Sequence, residues 1–205
     1  QVANCDDEIE KILKQYNNES GKDFKDEIPV KPIRHNKPDI ENLHKLLLGI
    51  HGANPTILPG LTDYSFMKLT AELGNNIKQW PSIKCFVSWL GLAPGKNSSG
   101  KTTKRSKKRS TTRAGQIFKQ AAQSLLLSKQ PGLGVFARKL KARRGAAIAI
   151  KATARKLAEL YYKIFSEGMQ YVEQGVKLYE EKIKQQQIRF LKKKALEFNF
   201  ELVEN

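Results

Sequence analysis

Between Glu72 and Glu159 the chain has no aspartate and no glutamate, although this interval holds its densest polar and cationic sequence. A two-carboxylate acid/base pair or a carboxylate-bound Mg²⁺ site therefore cannot be built from this stretch alone. Phosphoryl transfer carried out here needs a hydroxyl as nucleophile and metal ligands from elsewhere. Cysteine is scarce too. Cys5 and Cys85 form neither a disulfide framework nor a metal-ligand spacing, and they read as reduced thiols of an intracellular protein. The three histidines, His35, His44 and His51, lack Cys or carboxylate partners at ligand spacing and read as packing or surface residues. No apolar run approaches the roughly 20 residues that span a bilayer, and the acidic, polar start is unlike a secretory signal. No membrane partner is expected, and the expected location is cytoplasmic, on the nucleoid. The sequence opens at Gln1, inside a helical pattern and without an initiator Met, which suggests a fragment or a processed product.

What is abundant is positive charge. The 205 residues include 37 Lys and Arg against 20 Asp and Glu, a formal charge of +17. So many cations on a small chain favour association with a polyanion, and nucleic acid is the default partner. An anionic membrane surface would need an amphipathic anchor helix or a lipid signal, and neither stands out.

The hydrophobic periodicity predicts a mainly α-helical chain. Ile9, Ile12, Leu13 and Tyr16 mark a first helix, Asn4 to Tyr16, with Asp6, Asp7 and Glu8 in its first turn. Pro29, Pro32 and Pro38 break the polar stretch from Asn17 to Asp39, which reads as a linker, so 1–39 is set apart from a domain over 40–170 and a helical tail over 171–205. A helix ending at Gly52, a turn over Asn54 to Gly60 and a helix from Thr62 to Leu73 make a helix-hairpin-helix-like segment; such turns can face a phosphate, and equally can be structural hairpins. Ser82 is the expected N-cap of a helix from Ile83 to Leu90. Further helices are expected over Ala114–Lys129, Val135–Arg144, Ala146–Phe165 (with Ile148, Ala152, Leu157, Leu160, Tyr161 and Ile164 buried) and Val176–Ala195.

Between the helices, Pro94 to Arg113 is rich in Gly, Ser and Thr and has no hydrophobic period. It reads as a basic loop or ribbon carrying Lys96, Lys101, Lys104, Arg105, Lys107, Lys108, Arg109 and Arg113. These are the candidate phosphate contacts, with Arg138, Lys139, Lys141, Arg143 and Arg144 as a second patch. Gly95 to Thr102 satisfies the letter of a phosphate-binding loop, but that motif needs a strand before it and a helix after it. Ser98 and Ser99 sit among cations that would absorb the charge of an attacked phosphodiester. The same residues also make a flexible nucleic-acid-binding loop without catalysis, so both readings stand at this point.

The blocks Trp80-Pro81-Ser82, Phe86-Val87-Ser88-Trp89-Leu90-Gly91-Leu92-Ala93-Pro94-Gly95 and Ser99-Gly100 resemble the transposase domain of the insertion-sequence 110 family. So do Arg113-Ala114-Gly115-Gln116, Ala121-Ala122-Gln123-Ser124-Leu125, Gly145-Ala146, Ala152-Thr153-Ala154-Arg155-Lys156-Leu157-Ala158 and the tail from Tyr171 to Leu202. Where many relatives have two glycines after the serine, this chain has Gly100 and then Lys101. The resemblance implies a helical transposase domain with a basic Ser/Gly-rich active-site loop, in which Ser99, or alternately Ser98, attacks DNA and is transiently joined to it. It further implies a resolvase-like domain with Asp-Glu-Asp-Asp carboxylates, not contained in this chain, through which Mg²⁺ would act. A guide RNA beside the DNA, and an active complex of several protomers, follow from the same kinship. The rival function is a non-catalytic nucleic-acid-binding module, a domesticated remnant.

Overall fold

The computed structural model describes residues 2–20, 37–94, 96–99, 102–105 and 110–200. Among these, eight α-helices run α1 (Val2–Ser20), α2 (Leu43–His51), α3 (Asp63–Leu73), α4 (Ile83–Trp89), α5 (Arg113–Leu127), α6 (Leu133–Arg144), α7 (Ala146–Glu167) and α8 (Met169–Glu197). Two short strands, β1 (Lys96–Ser99) and β2 (Thr102–Arg105), separate α4 from α5, and 3-10 turns lie at Pro55–Ile57 and Ile77–Gln79.

Local sequence sets the helix ends. The side chains of Thr62, Ser82 and Thr112 accept hydrogen bonds from the backbone N–H of Ser65, Cys85 and Gly115 at 3.3, 3.3 and 3.1 Å, each satisfying a donor that the first turn leaves orphaned. Gly52 and Gly74 terminate α2 and α3.

The helices bury two main clusters. The larger joins α3, α4, α5 and α7, and Val172 of α8 adds to it. Its centre is aromatic: Phe86, Phe118 and Tyr161 are almost fully buried, with ring centroids 5.5 Å apart for Phe118 and Tyr161 and 6.5 Å for Phe86 against either. Alanines on both helices, Ala114, Ala121 and Ala122 on α5 and Ala154 and Ala158 on α7, are buried around these rings and let α5 and α7 lie side by side. The smaller cluster packs Leu13 of α1 on Leu46, Leu47, Leu48 and Ile50 of α2 and Phe66 of α3. Here the histidines are structural cross-links. His44 Nδ1 lies 2.6 Å from Asp63 Oδ1 and His51 Nε2 lies 2.9 Å from Thr70 Oγ1, each joining α2 to α3.

Several expectations shift. Helix α1 begins at Val2 and continues to Ser20, so Asp6, Asp7 and Glu8 occupy its second turn, and the Ser20 hydroxyl donates to the Gly49 carbonyl at 2.8 Å. The rest of the expected linker, 21–36, lies outside the described residues. Helix α6 starts at Leu133, two positions before Val135, because Leu133 and Gly134 are themselves buried. In α7, Ile148 is 54% exposed and Ala149 is buried in its place. The buried stripe runs through Ala149, Thr153, Leu157, Tyr161 and Ile164, a rotation of one residue that leaves Ala152 and Leu160 half-buried. Helix α8 begins at Met169.

Phe118→Ala is expected to lower the unfolding free energy by about 3–5 kcal/mol, since it removes a ring enclosed on all sides. Lys139→Ala on the exposed face of α6 should stay within about 0.5 kcal/mol. Equilibrium urea unfolding of both variants measures the contrast.

Candidate nucleic-acid interface

The basic segment is an antiparallel ribbon. Lys96 pairs with Arg105, Asn97 with Lys104, Ser98 with Thr103 and Ser99 with Thr102. Ser99 and Thr102 therefore close the ladder, and only Gly100 and Lys101, which lie outside the described residues, separate them in sequence. Lys107, Lys108 and Arg109 lie outside the described residues as well. The candidate nucleophiles Ser98 and Ser99 are thus brought together with Lys96, Lys104 and Arg105 on one ribbon.

What holds this ribbon to the body is a close backbone contact at its neck. Gly91 has φ of +72°, a conformation that disfavours side chains, and a Cβ there would meet the Ser110 carbonyl oxygen at 2.5 Å. On the other limb, a Cβ on Gly115 would lie 2.3 Å from the Leu90 carbonyl oxygen. The Thr112 N–H donates to that same Leu90 carbonyl at 3.4 Å. Both limbs are then anchored in the core, by Leu90 and Leu92 on one side and Ala114 and Phe118 on the other.

The neck is electropositive. Helix α5 presents its N-terminus there with no acidic residue in its first turn, so the positive end of its dipole adds to the side-chain charge. Arg113 is 90% exposed, with Glu72 3.9 Å away, a contact too loose and too wet to neutralise it. Lys119, which composition alone does not single out, reaches back eight residues to donate to the Thr111 hydroxyl at 2.6 Å. The signal was the i, i+8 position facing the helix start, visible only once the N-cap is fixed at Thr112. Trp89, at the end of α4, is 39% exposed and packs 5.1 Å from Trp80.

The second patch divides. Lys139, Lys141, Arg143 and Arg144 are exposed, the last three in the final turn of α6 beside the uncapped start of α7. Arg138 is turned inward. Its Nη1 donates to the Ser128 carbonyl and its Nη2 to the Gln130 carbonyl at 3.4 Å, because the chain leaving α5 has carbonyls without helical partners.

The phosphate-loop context is absent. Helix α4 precedes the Gly95 to Thr102 window and strand β2 follows it, where that motif needs a strand and then a helix. Among the described residues no group of three or more His, Cys, Asp or Glu could hold a metal ion. A cavity of about 450 Å³ lies between α7 and α8, and none of its lining residues belongs to the ribbon or its neck. Among the described residues no helix is long and apolar enough to cross a membrane.

Gly115→Ala forces a methyl group onto a backbone oxygen that cannot move without α4. It is expected to cost about 1–3 kcal/mol and to speed amide exchange at Leu90 to Leu92 and Ser110 to Thr112. Hydrogen exchange read by mass spectrometry tests both.

Comparison with known proteins supplies a family match. Residues 56–136 match the family model described as Transposase IS116/IS110/IS902 family. The matched segment runs from the first 3-10 turn into α6 and contains the ribbon and its neck, while the resembling blocks at Gly145 and beyond fall outside it. No curated protein and no solved structure matches the chain.

Proposed function

We propose, for a chain whose residues 56–136 carry the segment of a transposase family, that it is the serine-bearing part of a DNA transposase or recombinase. In this reading the Ser99 hydroxyl, with Ser98 as alternate, attacks a phosphodiester. A bond forms between serine oxygen and phosphorus, the bond to the deoxyribose oxygen breaks, and the serine proton passes through a base to the departing alkoxide. Mg²⁺ held by the carboxylates of a resolvase-like domain would assist, and more than one protomer would share the complex. The observation that carries the reading is the placement of Ser98 and Ser99 near the closed end of a basic ribbon, within the family-matched segment.

The electrostatics support it. A phosphodiester approaching the ribbon meets the N-terminus of α5, Arg113 and Lys119 at its base, and Lys96, Lys104 and Arg105 on its strands. Lys101, Lys107, Lys108 and Arg109 extend that surface in sequence. Lys139, Lys141, Arg143 and Arg144 form a second contact for DNA or for a structured guide RNA, with Arg138 bracing the turn beneath them. The helix-hairpin-helix-like segment serves as a brace. A Cβ on Gly60 in its turn would lie 2.7 Å from the Ala121 carbonyl of α5, so the turn faces the body.

The decisive test assembles the enzyme with its carboxylate domain, its element-end DNA, the associated RNA and Mg²⁺, and looks for a denaturant-resistant protein–DNA species. It is expected with the native chain and lost in Ser99→Ala. Survival in Ser99→Ala moves the role to Ser98, and no adduct despite tight binding favours the binding-module reading. Separately, Arg143→Ala/Arg144→Ala should weaken DNA or RNA binding and flatten the slope of log K against log salt by about 2, close to 0.9 per lost phosphate contact.

A further inference from the structure

The chain has two tryptophans, and the fold brings them together with ring centroids 5.1 Å apart. Trp80 is held on three sides. Its N–H donates to the Ile77 carbonyl at 3.2 Å, its own carbonyl accepts from the Tyr162 hydroxyl at 2.8 Å, and its ring meets that of Phe86 edge-on at 5.0 Å. Phe86 is fully buried, so Trp80 is seated directly on the aromatic core. Trp89 closes α4, rests on Trp80 and stays 39% exposed. Among the described residues from Leu43 to Glu167 it is the one exposed aromatic side chain. A tryptophan that served the core alone would gain by being covered, since its ring is the largest apolar surface a side chain offers. Here a firmly backed ring is left partly open to water.

The surroundings say what could lie on it. A protein partner needs a contiguous apolar patch. The residues exposed nearest to Trp89 in sequence are Pro81, Lys84 and Cys85, and the next exposed large apolar side chain along the chain is Leu127. Charge near it is positive instead. Residues 73–94 include exposed Lys78 and Lys84 and no carboxylate. Leu90, the residue after Trp89, accepts from the Thr112 N–H at 3.4 Å, and Arg113, 90% exposed, follows Thr112. Trp89 and Arg113 thus each stand one residue from a hydrogen-bonded pair at the start of α5. The carboxylate that approaches this neck is Glu72, 3.9 Å from Arg113. An open ring beside a cation and a helix N-terminus matches the two parts of a nucleotide, its base face and its phosphate. In a duplex both faces of a base are covered by its neighbours, so only an unpaired base has a face to give.

We propose that Trp89 is a stacking platform for one unpaired nucleobase of a single strand, whose phosphate lies against Arg113 and the N-terminus of α5. Trp80 backs the platform and the core holds Trp80. The contact tolerates any sequence, because every base has a π-face. This inference rests on the nucleic-acid reading above and deepens it: the neck receives a strand that is open, not paired, at the foot of the ribbon that carries Ser98 and Ser99.

The test uses this chain with short, unstructured DNA and RNA strands and with duplexes of the same sequences. No Mg²⁺, carboxylate domain or strand cleavage enters it, so its failure is distinct from failure of the DNA adduct assay. In a Trp80→Phe chain Trp89 is the sole tryptophan, and its fluorescence should be quenched by single strands and not by duplexes. DNA and RNA run side by side, and the strand that quenches at lower concentration is the source of the base. Trp89→Leu, which keeps an apolar cover on Trp80 without a flat ring, should bind single strands at least fivefold more weakly, the low end of what one stacked base contributes. Trp89→Phe should stay within about twofold of the parent, and duplex binding should be the same in all three. Circular dichroism and urea unfolding establish that the variants are folded. Absence of quenching, undiminished single-strand binding by folded Trp89→Leu, an equal loss in Trp89→Phe, or an equal loss on duplex each overturns the proposal.

Discussion

Everything that makes the ribbon useful depends on two peptide backbones lying in contact where it leaves the body. Gly91 and Gly115 have no side chains, and that lets the limbs at Leu90 and at Ser110 to Gly115 approach within van der Waals distance, with the Leu90 carbonyl shared between them. A ribbon of four residues per strand has no core of its own and cannot hold an orientation unaided. Its direction is inherited from α4 and α5, and theirs from the aromatic cluster of Phe86, Phe118 and Tyr161. The chain thereby places a highly charged sequence on a well-packed mount.

Most of the helical framework was legible because its signals are local. Thr62, Ser82, Gly52 and Gly74 bound helices by hydrogen bonding and backbone conformation within a few residues, and the caps fall where the sequence places them. The ribbon was legible only as a loop or ribbon, because four-residue strands of Lys, Asn, Ser and Thr carry no alternation to read. Ile148 was misplaced because periodicity gives spacing without the phase: one residue further on, Ala149 packs with Leu126 and Ala137, and Ile148 is left exposed. The inward turn of Arg138 was equally invisible. It answers carbonyls eight and ten residues upstream, a demand created by where α5 ends.

Resemblance and geometry divide the work. The family-matched segment contains the serines and the neck, yet the charge of the second patch, the extent of α8 and the acidic face of α1 lie outside it and were reached from the residues alone. Of the site, composition found the cations, and the register aligned Ser98 and Ser99 with Thr103 and Thr102. Lys119 needed the folded helix start to become part of the neck.

The carboxylate-free stretch between Glu72 and Glu159 contains no histidine either, since the three histidines all precede it. This stretch, 86 of the 205 residues, therefore contains no side-chain type whose ordinary titration range lies between about pH 4 and pH 7. In the proposed reading, its attraction for a polyanion is insulated from acidification. Any response of the chain to pH in that range has to enter from outside it, through the carboxylates and histidines up to Glu72 or through the carboxylates from Glu159 onward.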